Sequence, residues 1–155
     1  MRAVVQRVRR ARVTVAGDVA AEIGPGFCVL LSVGPGDTEA TAAHLAQRIA
    51  TLRISADEGG RMNLTLDQTG GSVLVVSQFT LHADSSRGHR PSFIAAAPPE
   101  LARGLCDSFA GALRGLGLTV ATGQFGALME VKIVNDGPVT LVLSSGEPPW
   151  AADAG

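Results

Sequence analysis

The chain has 155 residues, 46% of them apolar and 17% charged, with a formal net charge of −1. That is the size of one domain able to bury its own core, and so apolar a composition excludes a disordered or charge-solvated chain. The overall charge names no polyanionic partner, although Arg2, Arg7, Arg9, Arg10 and Arg12 put five positive charges and no acid into the first twelve residues.

Arg2–Val15 is β-branched and basic and reads as a strand. An arginine-rich strand suits either phosphate contact, since the guanidinium fork fits phosphate bidentately, or an exposed face with charged gatekeepers. Ala16-Gly17-Asp18 turns the chain into a strand over 19–23, and Gly24-Pro25-Gly26 turns it again into a buried strand over 27–33. Asp37 is placed to N-cap a helix whose apolar stripe is Leu45, Ile49 and Leu52. Asp57-Glu58-Gly59-Gly60 closes that unit with solvated turn carboxylates. Residues 72–79 form a continuous apolar strand, and 82–90 a polar loop without periodicity.

Pro98-Pro99 opens a second helix, because proline is tolerated in a first turn. Its stripe is Leu101, Leu105, Phe109, Ala112 and Leu116, with Gly117 beyond its end as C′. Strands over 118–122, 128–134 and 139–143 follow, and 144–155 reads as a poorly ordered tail. The order βββα, β, αβββ predicts a single α+β domain over 1–143, with two main helices packed on a largely antiparallel, barrel-like sheet.

Cys28 and Cys106 lack any CxxC or Cys/His ligand spacing, which argues against a disulfide framework or zinc site and for small apolar residues in a reducing compartment. The longest strongly apolar run, 27–33, is too short to span a bilayer. No signal-peptide core stands at the N-terminus, so a cytoplasmic protein without a membrane partner is expected. The scarcity of charge suggests that part of the surface is covered by a second copy of the chain.

The usual catalytic motifs are missing: no GxSxG elbow, no GxxxxGK[ST] loop, no complete dinucleotide fingerprint. His44 falls in a helix as a surface or packing residue. His82, Asp84 and His89 share one loop but lack a fourth ligand, so no metal is expected. Two segments stand out. Polar Ser77, Gln78 and Thr80 appear abruptly around Phe79 at the end of an apolar strand, where sites are commonly built; a strand fraying into a turn is the plainer alternative. Asn135-Asp136-Gly137-Pro138 reads as a hairpin turn with an X-Pro bond that can be cis.

Together with MRAVVQRV (1–8), LRI (52–54), MNL (62–64), VVSQFTL (75–81), RPSF (90–93), Pro98-Pro99-Glu100, TGxFGAxM (122–129) and VNDGPVT (134–140), these segments follow one order. In that order the chain resembles the D-aminoacyl-tRNA deacylase family over residues 1–143. Ser55-Ala56 stands where that family commonly has an aromatic-acidic pair, and His82 where it has tyrosine. Residues 148–155 have no counterpart.

The resemblance implies hydrolysis of the ester joining a D-amino acid, or glycine, to the 3′ end of tRNA, by a homodimer that uses no cofactor. It implies that Ser77, Gln78, Phe79 and Thr80 hold the aminoacyl group. It implies a Gly137–Pro138 cis pair, supplied by the partner subunit, that excludes L side chains, with Arg7 supporting that loop. Phe125 and Met129 match positions lining a terminal-adenine pocket; ordinary core packing is the alternative for both. An aminoacyl ester beside a free ribose hydroxyl is already activated and needs a held water and a stabilised oxyanion more than a strong base. No base neighbours Thr80 in sequence, so a positioning role suits it better than nucleophilic attack. A non-catalytic RNA-end binding module and an RNA-independent ester hydrolase are the competing readings.

Overall fold

The structure is a computed structural model and describes residues 1–146. Its elements are β1 (Arg2–Val15), β2 (Asp18–Ile23), β3 (Gly26–Ser32), α1 (Glu39–Ala50), β4 (Ser55–Ala56), β5 (Met62–Leu64), α2 (Leu66–Thr69), β6 (Ser72–Ser77), a 3-10 turn (Phe79–His82), α3 (Pro99–Gly115), β7 (Thr119–Thr122) and β8 (Glu130–Ser144). The strand β1 organises the sheet. Antiparallel β8 runs along one edge of it, while β3 pairs with Arg2–Val8 and β2 with Ala11–Val15.

Beyond β3 the pairing is parallel, β3 with β6 and β6 with β7, so the sheet is mixed and not largely antiparallel throughout. The cause is connectivity. α1 and the short elements after it carry the chain back between β3 and β6, and α3 does so between β6 and β7, which makes successive strands parallel. β2 also approaches β6 and β7, curling the sheet towards a barrel.

Both faces of the sheet carry core. One face packs Phe27, Val29 and Leu31 against Leu45 and Ile49 of α1 and Phe109 and Leu113 of α3. The other gathers Val8, Ala11, Val13, Ile23, Cys28, Leu74 and Val76 inside the curl.

α1 is capped by Thr38, whose hydroxyl accepts from the Thr41 amide while Thr41 returns the bond. Asp37, the expected cap, instead accepts from the Gly34 amide at 2.7 Å and meets the Met1 amine at 2.5 Å. Burial works against its ionisation, but these donors outweigh it and hold its pKa below the ordinary carboxylate value. Thr65 and Gln68 form a capping box on α2, which the sequence reading passes over together with β4 and β5. The Asp57 carboxylate accepts from the amides of Gly59 and Arg61 and so builds the turn between β4 and β5.

On α3 the buried face is Ala102, Leu105, Phe109, Ala110 and Leu113. Leu101 and Leu116, expected in the stripe, are exposed, and Ala112 is half-buried. Alanine carries the first buried turn because the helix starts close to the end of β3, where Ala97 donates to the Val33 carbonyl.

The expected strands over 128–134 and 139–143 are a single strand, β8. Asn135-Asp136-Gly137-Pro138 is not a hairpin turn. The ladder passes from Gln6↔Thr140 to Val8↔Asn135, so residues 136–139 bulge outwards opposite Arg7 while the strand keeps its direction. β8 reaches Ser144, one residue into the expected tail, and the Ser145 amide donates to the Met1 carbonyl. The rest of that tail, 147–155, lies outside the described residues. No described helix is long and apolar enough to cross a membrane.

Candidate active site

Because β3, β6 and β7 are parallel, their carboxyl ends share one edge of the sheet. Ligands bind at such edges, where the strands stop pairing and leave backbone groups free. A cavity of about 540 Å³ opens there. Ser32 and Val33 from the end of β3, Ser77 and Gln78 from the end of β6, and Cys106 from α3 contribute to its wall. Phe79, Phe93 and Phe125 line it too, the first two packed edge to face with centroids 5.1 Å apart.

β6 stops at Ser77, two residues earlier than the apolar run predicts, because the chain tightens into the 3-10 turn. The Gln78 amide makes the last bond of the strand, 2.7 Å to the Leu31 carbonyl. Among the described residues no acceptor meets the amides of Phe79 and Thr80. These are the orphan donors expected at the start of a helical turn, and they offer a place for negative charge. The Gln78 side-chain amide donates to the Thr80 hydroxyl. Thr80 itself is exposed and does not line the cavity.

Among the described residues no side-chain base faces this space. His82 is buried, with Nδ1 2.5 Å from the Ser32 hydroxyl. Burial, and then the charge of Arg2, push its pKa down. Cys106 is half-buried, and burial reinforced by Asp107 pushes its thiol up to about 11, so it stays protonated at neutral pH and is a poor nucleophile. Cys28 lies in the second core, its thiol also raised to about 11 by burial. No three His, Cys, Asp or Glu side chains are grouped to hold a metal among the described residues.

The Gly137–Pro138 peptide is cis. Gly137 has φ +139°, and a Cβ there would stand 2.9 Å from the Val139 amide nitrogen, so the position requires glycine. Arg7 ties the bulge down, donating from Nε to the Asp136 carbonyl at 3.0 Å and from Nη1 to the Ile54 carbonyl at 2.7 Å. The Asn135 side chain closes it by accepting from the Val139 amide at 2.8 Å. Neither Gly137, Pro138 nor Arg7 lines the cavity of its own chain.

Of the expected adenine-pocket pair, Phe125 lines the cavity and Met129 does not. Met129 packs on the second core behind the turn, where a Cβ on Gly123 would stand 2.9 Å from its sulfur. Sequence reasoning passed over Ser32, the Ala96–Pro99 approach to α3, and Cys106 as a wall residue. Pro99, Ala102 and Cys106 recur at helical spacing beside the apolar stripe, and that second stripe was the available signal.

The sequence model of a family described as D-Tyr-tRNA(Tyr) deacylase matches residues 4–144. A D-aminoacyl-tRNA deacylase of Roseiflexus sp. (strain RS-1) is 60% identical over 145 residues, covering 94% of each chain. A solved structure described as c-Myc DNA Unwinding Element Binding Protein superposes with a TM-score of 0.88 at 43% identity, covering 94% of this chain and 99% of that one. A second, described as a probable eukaryotic D-amino acid tRNA deacylase, superposes with a TM-score of 0.80 at 16% identity, covering 92% and 97%, and shares the fold.

Proposed function

The chain belongs to the D-Tyr-tRNA(Tyr) deacylase family, and from that membership we propose that it hydrolyses the ester of D-aminoacyl-tRNA, and of glycyl-tRNA, while sparing L-aminoacyl-tRNA. It is a D-aminoacyl-tRNA deacylase, a hydrolase. The observation that carries the finer reading is the division of the chain into two halves. The cavity wall holds Ser77, Gln78 and Phe79, and the rigid Gly137–Pro138 bulge stands outside that wall.

In this reading the terminal adenosine lies in the cavity against Phe125, and Met129 supports the turn that carries Phe125. The ester carbonyl points at the free amides of Phe79 and Thr80, which stabilise the oxyanion in the transition state. Gln78, held by Thr80, orients the aminoacyl group. Water attacks the carbonyl carbon and the bond to the ribose oxygen breaks; the neighbouring ribose hydroxyl of the RNA passes its proton to the departing oxygen and takes the one the water loses, so that no side-chain base is needed. Free amino acid and tRNA are the products.

Chirality follows from exclusion. The Gly137–Pro138 bulge of a partner subunit closes on the substrate α-carbon and leaves no room for an L side chain, whereas glycine has none to exclude. The surface favours such a homodimer. Ile94, which lines the cavity, is 91% exposed, and Val142, on the exposed face of β8, is 53% exposed.

The test is the lifetime of the ester. D-tyrosyl-tRNA and glycyl-tRNA are expected to be cleared while L-tyrosyl-tRNA survives at the same enzyme concentration. Rapid loss of the L ester removes the exclusion reading, and binding without turnover of any ester makes the chain an RNA-end binder.

A further inference from the structure

We propose that Arg103 positions the substrate by holding the phosphate that leads into the terminal nucleotide; the inference rests on the deacylase reading above. None of the described residues lining the cavity carries a charged side chain. Its apolar and aromatic walls suit a flat base, but a nucleotide's phosphodiester cannot follow that base inside without losing its hydration to a surface that offers no cation. The phosphate must stay at the mouth.

A cation is fixed beside that wall: the guanidinium carbon of Arg103 lies 4.8 Å from the centroid of the Phe125 ring. Phe125 lines the cavity and Arg103 does not, so the guanidinium covers the ring from outside the cavity.

The partners that Arg103 does not take are as telling. Glu100 and Asp107 stand about one turn away on either side along α3, yet among the described residues neither forms an ion pair with it. Its side chain is exposed, so its N–H donors are open to a ligand. A guanidinium resting on an aromatic face is held in place and keeps its edge for bidentate contact with phosphate oxygens. The N-terminus of α3, where the N-cap Pro98 and the first residue Pro99 line the cavity, adds the positive end of the helix dipole.

The experiment compares two D-tyrosyl esters, one on intact tRNA and one on free adenosine, which has no phosphate. Wild type, Arg103→Ala and Arg103→Lys are assayed on both over a salt series. Arg103→Ala is expected to raise KM for D-tyrosyl-tRNA about ten-fold with kcat nearly unchanged. It should also make the decline of log kcat/KM with log salt shallower by about 0.7. Arg103→Lys, which keeps the charge, should retain the wild-type salt slope. All three enzymes should treat the adenosine ester alike.

Equal loss on both esters would reduce Arg103 to a prop for the Phe125 ring, and no change on tRNA would leave it without a role; either result overturns the proposal. Failure of the wild-type enzyme on both esters strikes the deacylase reading itself, and the proposal falls with it.

Discussion

At the scale of single residues, Gln78 and Thr80 divide the work unequally. Gln78 lines the cavity, whereas Thr80 lies outside the wall and accepts from the Gln78 side chain; in the proposed reading Gln78 orients the ester and Thr80 restrains Gln78. Gln78→Ala is expected to lower kcat about a hundred-fold with the fold retained, because the ester carbonyl loses the group that holds it against the oxyanion-stabilising amides. Thr80→Ala should cost less, because it removes only the restraint on Gln78. A trapped acyl ester on Thr80, with turnover abolished in the alanine variant, would establish covalent catalysis instead.

His82 gives a pH expectation at the same scale. Its folded pKa lies below the ordinary value, from burial first and the charge of Arg2 second. An unfolded histidine titrates near ~6.5, so below that pH the unfolded chain binds a proton that the folded chain resists. The stability linked to this group is fully present above about pH 6.5 and is lost as the pH falls towards the folded value. Thermal unfolding followed from neutral pH down to about pH 5 should therefore drop further for wild type than for His82→Gln. Equal slopes would mean that the imidazole charges as easily folded as unfolded.

At the scale of elements, the bulge in β8 shows what the sequence reveals and what it hides. Asn-Asp-Gly is the strongest short hairpin signal, and flanking apolar alternation on both sides predicts two strands. The chain does not reverse there because β1, fourteen residues long, offers one continuous edge to both halves. A long-range partner decides the outcome, and no local window contains it. The parallel pairing of β3, β6 and β7 is hidden for the same reason, although two helices between strands hinted at it.

The end of β6 was legible. Polar residues after a buried run mark where pairing stops, and the cavity lies there. Cys106 was harder to read because its helical position suits core and cavity equally; it faces the space beside the buried stripe. Met129, which the resemblance pairs with Phe125, packs on the second core beside Gly123, a placement that the alternative of ordinary core packing also allowed.

The bulge also yields an element-scale prediction. Arg7 joins it to the carbonyls of Asp136 and Ile54, so Arg7→Ala should loosen it and raise the hydrolysis of L-tyrosyl-tRNA relative to the D ester at least several-fold. Arg7→Lys should not restore selectivity, since one ammonium cannot reproduce the two-sided fork. An unchanged D-to-L ratio in Arg7→Ala would free the bulge from any part in selection.

At the scale of the whole molecule, the proposed selection needs two chains. Each carries a cavity and a bulge that does not line that cavity, and exposed apolar side chains such as Ile94 and Val142 provide surface for association. In the proposed dimer one subunit's Gly137–Pro138 completes the other's pocket. It is tested most directly by mixing a Gln78→Ala subunit with a Pro138→Ala subunit and assaying the isolated heterodimer on D- and L-tyrosyl-tRNA. One pocket then combines both defects and the other has neither, so the heterodimer should recover selective hydrolysis of the D ester, near half the wild-type rate, that neither parent shows. A proven heterodimer without that recovery would contradict the claim and return the bulge to its own subunit.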